Sequence, residues 1–97
     1  MFPGLTTKIS ESTVASTTSI DVKTDLVKLT GSTAIATINP KHFGGGFSGM
    51  LILVPTDGTL GLLTTGNISV AVTMAQNRST LLTYSKKDNT WYPGAIS

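Results

Sequence analysis

The residues of this chain that could do chemistry lie close together. In "NPKHFGGGFSGMLILVP", residues 39–55, the only histidine, His42, precedes Gly44, Gly45 and Gly46, and Ser48 follows. A histidine beside a glycine run can line an oxyanion hole, with a nearby serine as nucleophile. That chemistry needs a G-x-S-x-G elbow between a strand and a helix, whereas in "GFSGM" Gly49 follows Ser48 directly. The chain offers only five carboxylates to orient the histidine, and Glu11, Asp21, Asp25, Asp57 and Asp88 are well separated. A phosphate loop fails too, because no Gly-Lys-Ser/Thr follows the glycines and no helix opens after them. Nothing in the pattern pairs two acids as glycoside hydrolysis requires. No catalytic residue is assigned, and the chain reads as a non-enzyme. The glycines then supply backbone freedom in a loop that Phe43 and Phe47 anchor at its two ends, with Pro40 closing the preceding strand.

Composition narrows the remaining classes. With no cysteine and one histidine, thiolate and histidine-rich metal sites are excluded, and no metal or cofactor is expected. Seven Lys/Arg against five Asp/Glu give a net charge of +2. The basic residues are scattered, and the one adjacent pair, Lys86-Lys87, leads into Asp88-Asn89 as a solvated turn would. This is not the clustered basic surface of a nucleic-acid binder. No apolar run approaches the ~18 residues of a membrane span, and "MFPGLTTKIS" lacks the basic and apolar regions of a secretory leader. The cysteine-free composition suits assembly in a reducing cytoplasm. A single domain of 97 residues buries roughly 60–65 % of its unfolded surface, a thin margin. Disulfides and metals being absent, oligomerisation is the available reinforcement.

The elements that must position these residues follow from the hydrophobic pattern. Residues 1–19 are rich in Ser and Thr and show no sustained period, so they read as an extended N-terminal arm with an apolar tip of Phe2, Pro3 and Leu5. From residue 20 to 97 the pattern is β. Strands are expected at 24–30 and 32–38 around Gly31, and at 50–55, which is apolar on both faces and so fits a strand buried on both sides or at a subunit contact. Residues 67–72 place Ile68, Val70 and Val72 on one face of a further strand. Residues 79–85 and 90–93, joined by "KKDN", read as a closing hairpin, and its Trp91-Tyr92 pair reads as core or interface. Residues 73–78 suit a loop or one helical turn. Five to seven short strands with frequent turns predict an all-β fold, a small antiparallel β-sandwich or barrel of jelly-roll type. No internal repeat of the kind a fibre shaft shows is visible.

The ordered set "LTGSTAIATINP … FGGGFSGMLILVP … TTGNISVAVTMAQNRSTLLTYSKKDNTWYP" resembles a β-domain that recurs in virion proteins of tailed bacteriophages. The match runs from about residue 24 to 93. It rests on Ile35, Ile38, Pro40, Gly45, Gly46, Leu51, Ile52, Pro55, Gly66, Asn67, Ile68, Ala71, Leu82, Tyr84, Trp91, Tyr92 and Pro93. The resemblance implies a capsid decoration (cement) protein or the tip of a tail fibre or spike, in most cases a homotrimer, without a catalytic motif. Read as a complete chain with no shaft before its domain, it is expected to be the cement type. It would then sit on the capsid exterior as a homotrimer bound to the major capsid protein, with no nucleic-acid or membrane partner. On that reading Phe2, Pro3, Leu5, Lys8 and Ile9 are the capsid-tether candidates. Phe43, Phe47, Leu51, Leu53, Tyr84, Trp91 and Tyr92 are the candidates for the trimer contact or the core. The alternative is a receptor-binding tip or baseplate component that binds host glycan or protein through loops such as 41–49 or 73–78.

Overall fold

A computed structural model describes residues 10–41 and 48–96. Among them there are nine strands and no helix: β1 Glu11–Ala15, β2 Ser19–Val22, β3 Leu26–Thr30, β4 Thr37–Pro40, β5 Gly49–Pro55, β6 Leu60–Leu62, β7 Val72–Met74, β8 Thr80–Ser85 and β9 Thr90–Ile96. The all-β class predicted from the sequence is the observed one. Its pairing, however, is mixed rather than antiparallel throughout. β1, β3 and β5 run parallel side by side, and β8 and β9 extend the same sheet antiparallel, in the order β1-β3-β5-β8-β9. β2 and β4 form a second, parallel pair, and β6 and β7 an antiparallel one.

The topology has a simple cause. Parallel neighbours need a crossover, and here each crossover is itself a strand in the opposite layer. The chain alternates between layers from β1 to β6, giving a flattened coil of three turns. Glu11 faces Leu26 and Leu26 faces Ile52 in one layer; Ser19 faces Thr37 in the other, where an isolated parallel bridge sets Ile35 beside Leu62. Alternation of apolar and polar residues reads the same in parallel and antiparallel strands, so the hydrophobic pattern could not distinguish them. Gly31, at φ +79°, turns the chain out of the first layer instead of reversing it in a hairpin.

Alternate residues of every turn point between the layers and form one core. Ile20, Val22, Val27, Leu29, Ile35, Ile38, Leu51, Leu53, Leu60 and Leu62 are all buried there. Polar corners tie successive turns together. Ser16, buried, donates its N–H to the Thr30 carbonyl (2.8 Å), and its Oγ accepts from Thr33 N–H (3.1 Å). One turn further, Thr56 N–H donates to the Leu29 carbonyl (2.9 Å), and Gly31 N–H donates to Asp57 Oδ2 (2.6 Å).

Two expectations are corrected by this arrangement. Residues 11–15, expected within an extended arm, form strand β1 of the main sheet. Ser and Thr serve an edge strand well, and Val14 supplies enough apolar surface to pack against the core. Of the two placements expected for residues 50–55, burial on both sides is not the one observed, since β5 is buried on one face only, with Met50 exposed and Ile52 and Val54 half-buried on the other.

Candidate interaction surfaces

The two ends of the coil differ. At the far end, the last turn is closed: β8 pairs onto β5, β9 onto β8, and β7 onto β6. Trp91, fully buried, lies with its ring centroid 4.9 Å from that of Tyr84 and donates Nε1–H to the Ile38 carbonyl (2.9 Å). Asn67 completes this closure. Its Oδ1 accepts from Ile38 N–H (2.9 Å), its Nδ2 donates to the Ile38 carbonyl (2.7 Å), and its own carbonyl accepts from Trp91 N–H (2.8 Å). One side chain thus supplies β4 with the partners that a neighbouring strand would give. Gly66 has no room for a side chain, because a Cβ there would collide with the Ala36 carbonyl.

At the near end, β1 and β2 belong to the first turn, and each has a strand on one side only among the described residues. Leu26 N–H donates to the Ser10 carbonyl and Ser16 N–H to that of Thr30, which aims the even-numbered residues of β1 at β3. The N–H and C=O groups of Glu11, Thr13 and Ala15 therefore point to the free side. On β2, Thr37 N–H and Lys41 N–H donate to the carbonyls of Thr18 and Val22, so the backbone of Ser19 and Asp21 points away from β4, where the Ser19 carbonyl accepts from Thr17 Oγ1 (2.6 Å) and the other groups face the free side. Between the strands runs a groove of about 470 Å³ with Val14 and Ile20 in its floor and Thr13, Ala15, Asp21 and Lys23 along its sides.

A second surface covers the outer face of the main sheet. Leu26, Ile52 and Leu81 stand abreast on β3, β5 and β8. Met50, 59 % exposed, adjoins them, and a groove of about 370 Å³ runs over Met50, Ile52, Leu81, Gly49 and Asp25. Tyr92, 43 % exposed, lies on the same face and donates its hydroxyl to Asp88 Oδ2 (2.8 Å). That hydrogen bond, with lesser contributions from desolvation and the carboxylate's negative charge, holds the phenol above the ordinary tyrosine value.

The sequence-predicted residues therefore separate. Leu51, Leu53, Tyr84 and Trp91 are core, and Tyr92 alone among the described candidates is at the surface. Phe2, Pro3, Leu5, Lys8, Ile9, Phe43 and Phe47 lie outside the described residues, as do His42 and Gly44–Gly46. The sequence read residues 50–55 as buried on both sides or at a subunit contact, and did not single out the stripe that crosses β3, β5 and β8. Its signal was present in Leu81, an apolar residue out of phase with Thr80, Leu82 and Tyr84, which are all buried. Among the described residues no three of His, Cys, Asp or Glu cluster as a metal site would need, and no helix is long and apolar enough to cross a membrane. Compared with protein-family models, curated proteins and solved structures, the chain finds no match.

Proposed function

We propose that this protein is a capsid cement protein of a tailed bacteriophage, a homotrimer that binds the outside of the shell and holds major capsid proteins together. The observation that carries the reading is where the residues of the sequence resemblance fall. Gly66, Asn67, Tyr84 and Trp91, four of the residues that carry the resemblance, close the far end of the coil, which supports the reading. The two surfaces fit an adhesive role. An apolar stripe such as Leu26, Ile52, Leu81 and Met50 marks a contact, and on this reading copies meet there. Residues 1–9 are the tether, gripping a neighbouring shell subunit by extended backbone and by Phe2 and Leu5. Three linked copies raise the effective concentration of each weak grip, which opposes separation of shell subunits under outward pressure from packed genome.

The test is the number of copies per purified phage particle, measured by quantitative mass spectrometry against the major capsid protein. A copy number commensurate with the shell is the expected result. A handful of copies overturns the cement reading and places the chain at a fibre tip or baseplate.

A further inference from the structure

We propose that the open first turn of the coil is a strand-acceptor site, and that its occupant is an extended segment of the shell protein. The identity of the occupant rests on the cement reading; the acceptor itself rests on the geometry of the edge.

Other strand edges of the molecule are defended. A free strand edge invites pairing with another chain, and proteins blunt such edges with proline, bulges or short strands. The opposite edge of the main sheet, β9, carries Pro93 and a register irregularity where it meets β8 between Thr80 and Leu82. β7 is three residues long. β1 has none of these devices. It presents five residues, "ESTVA", without proline or bulge, in unbroken register with β3 from Glu11 to Ala15.

The free groups are alternating peptide N–H and C=O, and both layers of the same turn present them. Such a row is complementary to another backbone in extended conformation, and not to a nucleotide, a sugar or a lipid headgroup. Stacked-turn proteins cap their terminal repeats with a distinct polar element. The far end here has such a cap in β7, β8 and β9, whereas the near end, among the described residues, has an open groove floored by Val14 and Ile20. A strand laid in it gains backbone hydrogen bonds from Thr13 and Ala15 and sets one apolar side chain against that floor.

The test turns on Thr13. Its side chain is exposed and its N–H faces the free side, so Thr13→Pro removes one outward donor and leaves the ladder to β3 intact. The variant is expected to melt like the wild type and to bind purified undecorated shells about tenfold more weakly. Amide hydrogen exchange at Thr13 and Ala15 should be fast in the free protein and slow on shells. Equal shell binding by Thr13→Pro overturns the proposal. Protection of both amides in the free protein also overturns it, since the chain itself or a second copy then fills the edge. A second probe is independent of the cement reading: a synthetic peptide of residues 26–40, which already pairs with β1 and β2 from their other side. The wild type should bind it, and Thr13→Pro about tenfold less well. No binding of the peptide overturns the acceptor whatever the shells do. Peptide binding without shell binding overturns only the shell protein as occupant.

Discussion

Asn67 shows how much one side chain carries in this fold. Its amide occupies both the N–H and the C=O of Ile38, and its backbone holds Trp91 in place. Asn67→Ala strands the Ile38 N–H against the core, although the Ile38 carbonyl keeps the Trp91 indole as a donor. A loss of roughly 2–3 kcal/mol is expected, read as a lower urea midpoint with an unchanged slope. Asn67→Asp keeps an acceptor for the Ile38 N–H but sets its second carboxylate oxygen against the Ile38 carbonyl, where Nδ2 donates at 2.7 Å, and that repulsion should lower the midpoint as well. The sequence made Asn67 visible as part of Gly-Asn-Ile but misread its surroundings. Apolar alternation over 67–72 predicts a strand, yet β7 begins only at Val72, and Val70 is 51 % exposed. There the Asn67 side chain, in place of a strand, pairs with the backbone of Ile38 across the molecule. Pattern alone does not reveal such competition.

At the scale of the elements, β3, β5, β8 and β9 were legible, whereas the strand expected at 32–38 is β4 at Thr37–Pro40 and the short strands β1, β2 and β6 were not anticipated. The closing hairpin, with Thr80–Ser85 and Thr90–Ile96 around a turn containing Asn89 at φ +51°, lies where the sequence placed it. The partner of each strand was not legible, because the coil joins residues far apart in the chain and the alternation is blind to direction. The boundary of the arm was misplaced for a related reason. "ESTVA" has too little apolar character to announce itself, and it becomes a strand only once β3 is beside it. This makes a sharp prediction about truncation. Removing residues 1–9 spares the first turn, and the urea midpoint should stay near that of the full chain. Removing residues 1–15 deletes β1, the packing of Val14 and the Glu11–Lys28 ion pair (3.1 Å), and bares the edge of β3. A loss of roughly 3–5 kcal/mol is expected, a large share of what a domain this size has. Equal midpoints for the two truncations would show that β1 adds nothing to the fold.

For the whole molecule, the outer stripe is the feature that bears on assembly. Leu81→Lys sets a charge in the middle of the row Leu26, Ile52, Leu81 without touching the core, since Leu81 points away from it. If copies meet on this face, sedimentation equilibrium should show the wild type as a trimer and the variant as a monomer. Both should keep the same strand-type circular dichroism. A variant that sediments like the wild type places the contact elsewhere, and a monomeric wild type removes the trimer from the proposed function. Only Tyr92 on this face was named from the sequence as a contact or core candidate, because exposure on one side of β5 depends on which strands flank it.

The alternation between layers also sets the order in which the molecule comes together. Pairing β1 with β3 must wait for the loop through β2 to close, and pairing β3 with β5 spans a still longer excursion. The β8–β9 hairpin needs only the short turn at 86–89, and its Tyr84 and Trp91 rings meet as soon as it forms. Short loops close first and distant pairings last. A chain made from its N-terminus therefore makes β1 and β3 before its quickest-forming element, the β8–β9 hairpin, exists. The first turn closes a shorter loop than β3–β5 or β5–β8 does, so its adhesive edge is in place while the strands that close the far end are still being made.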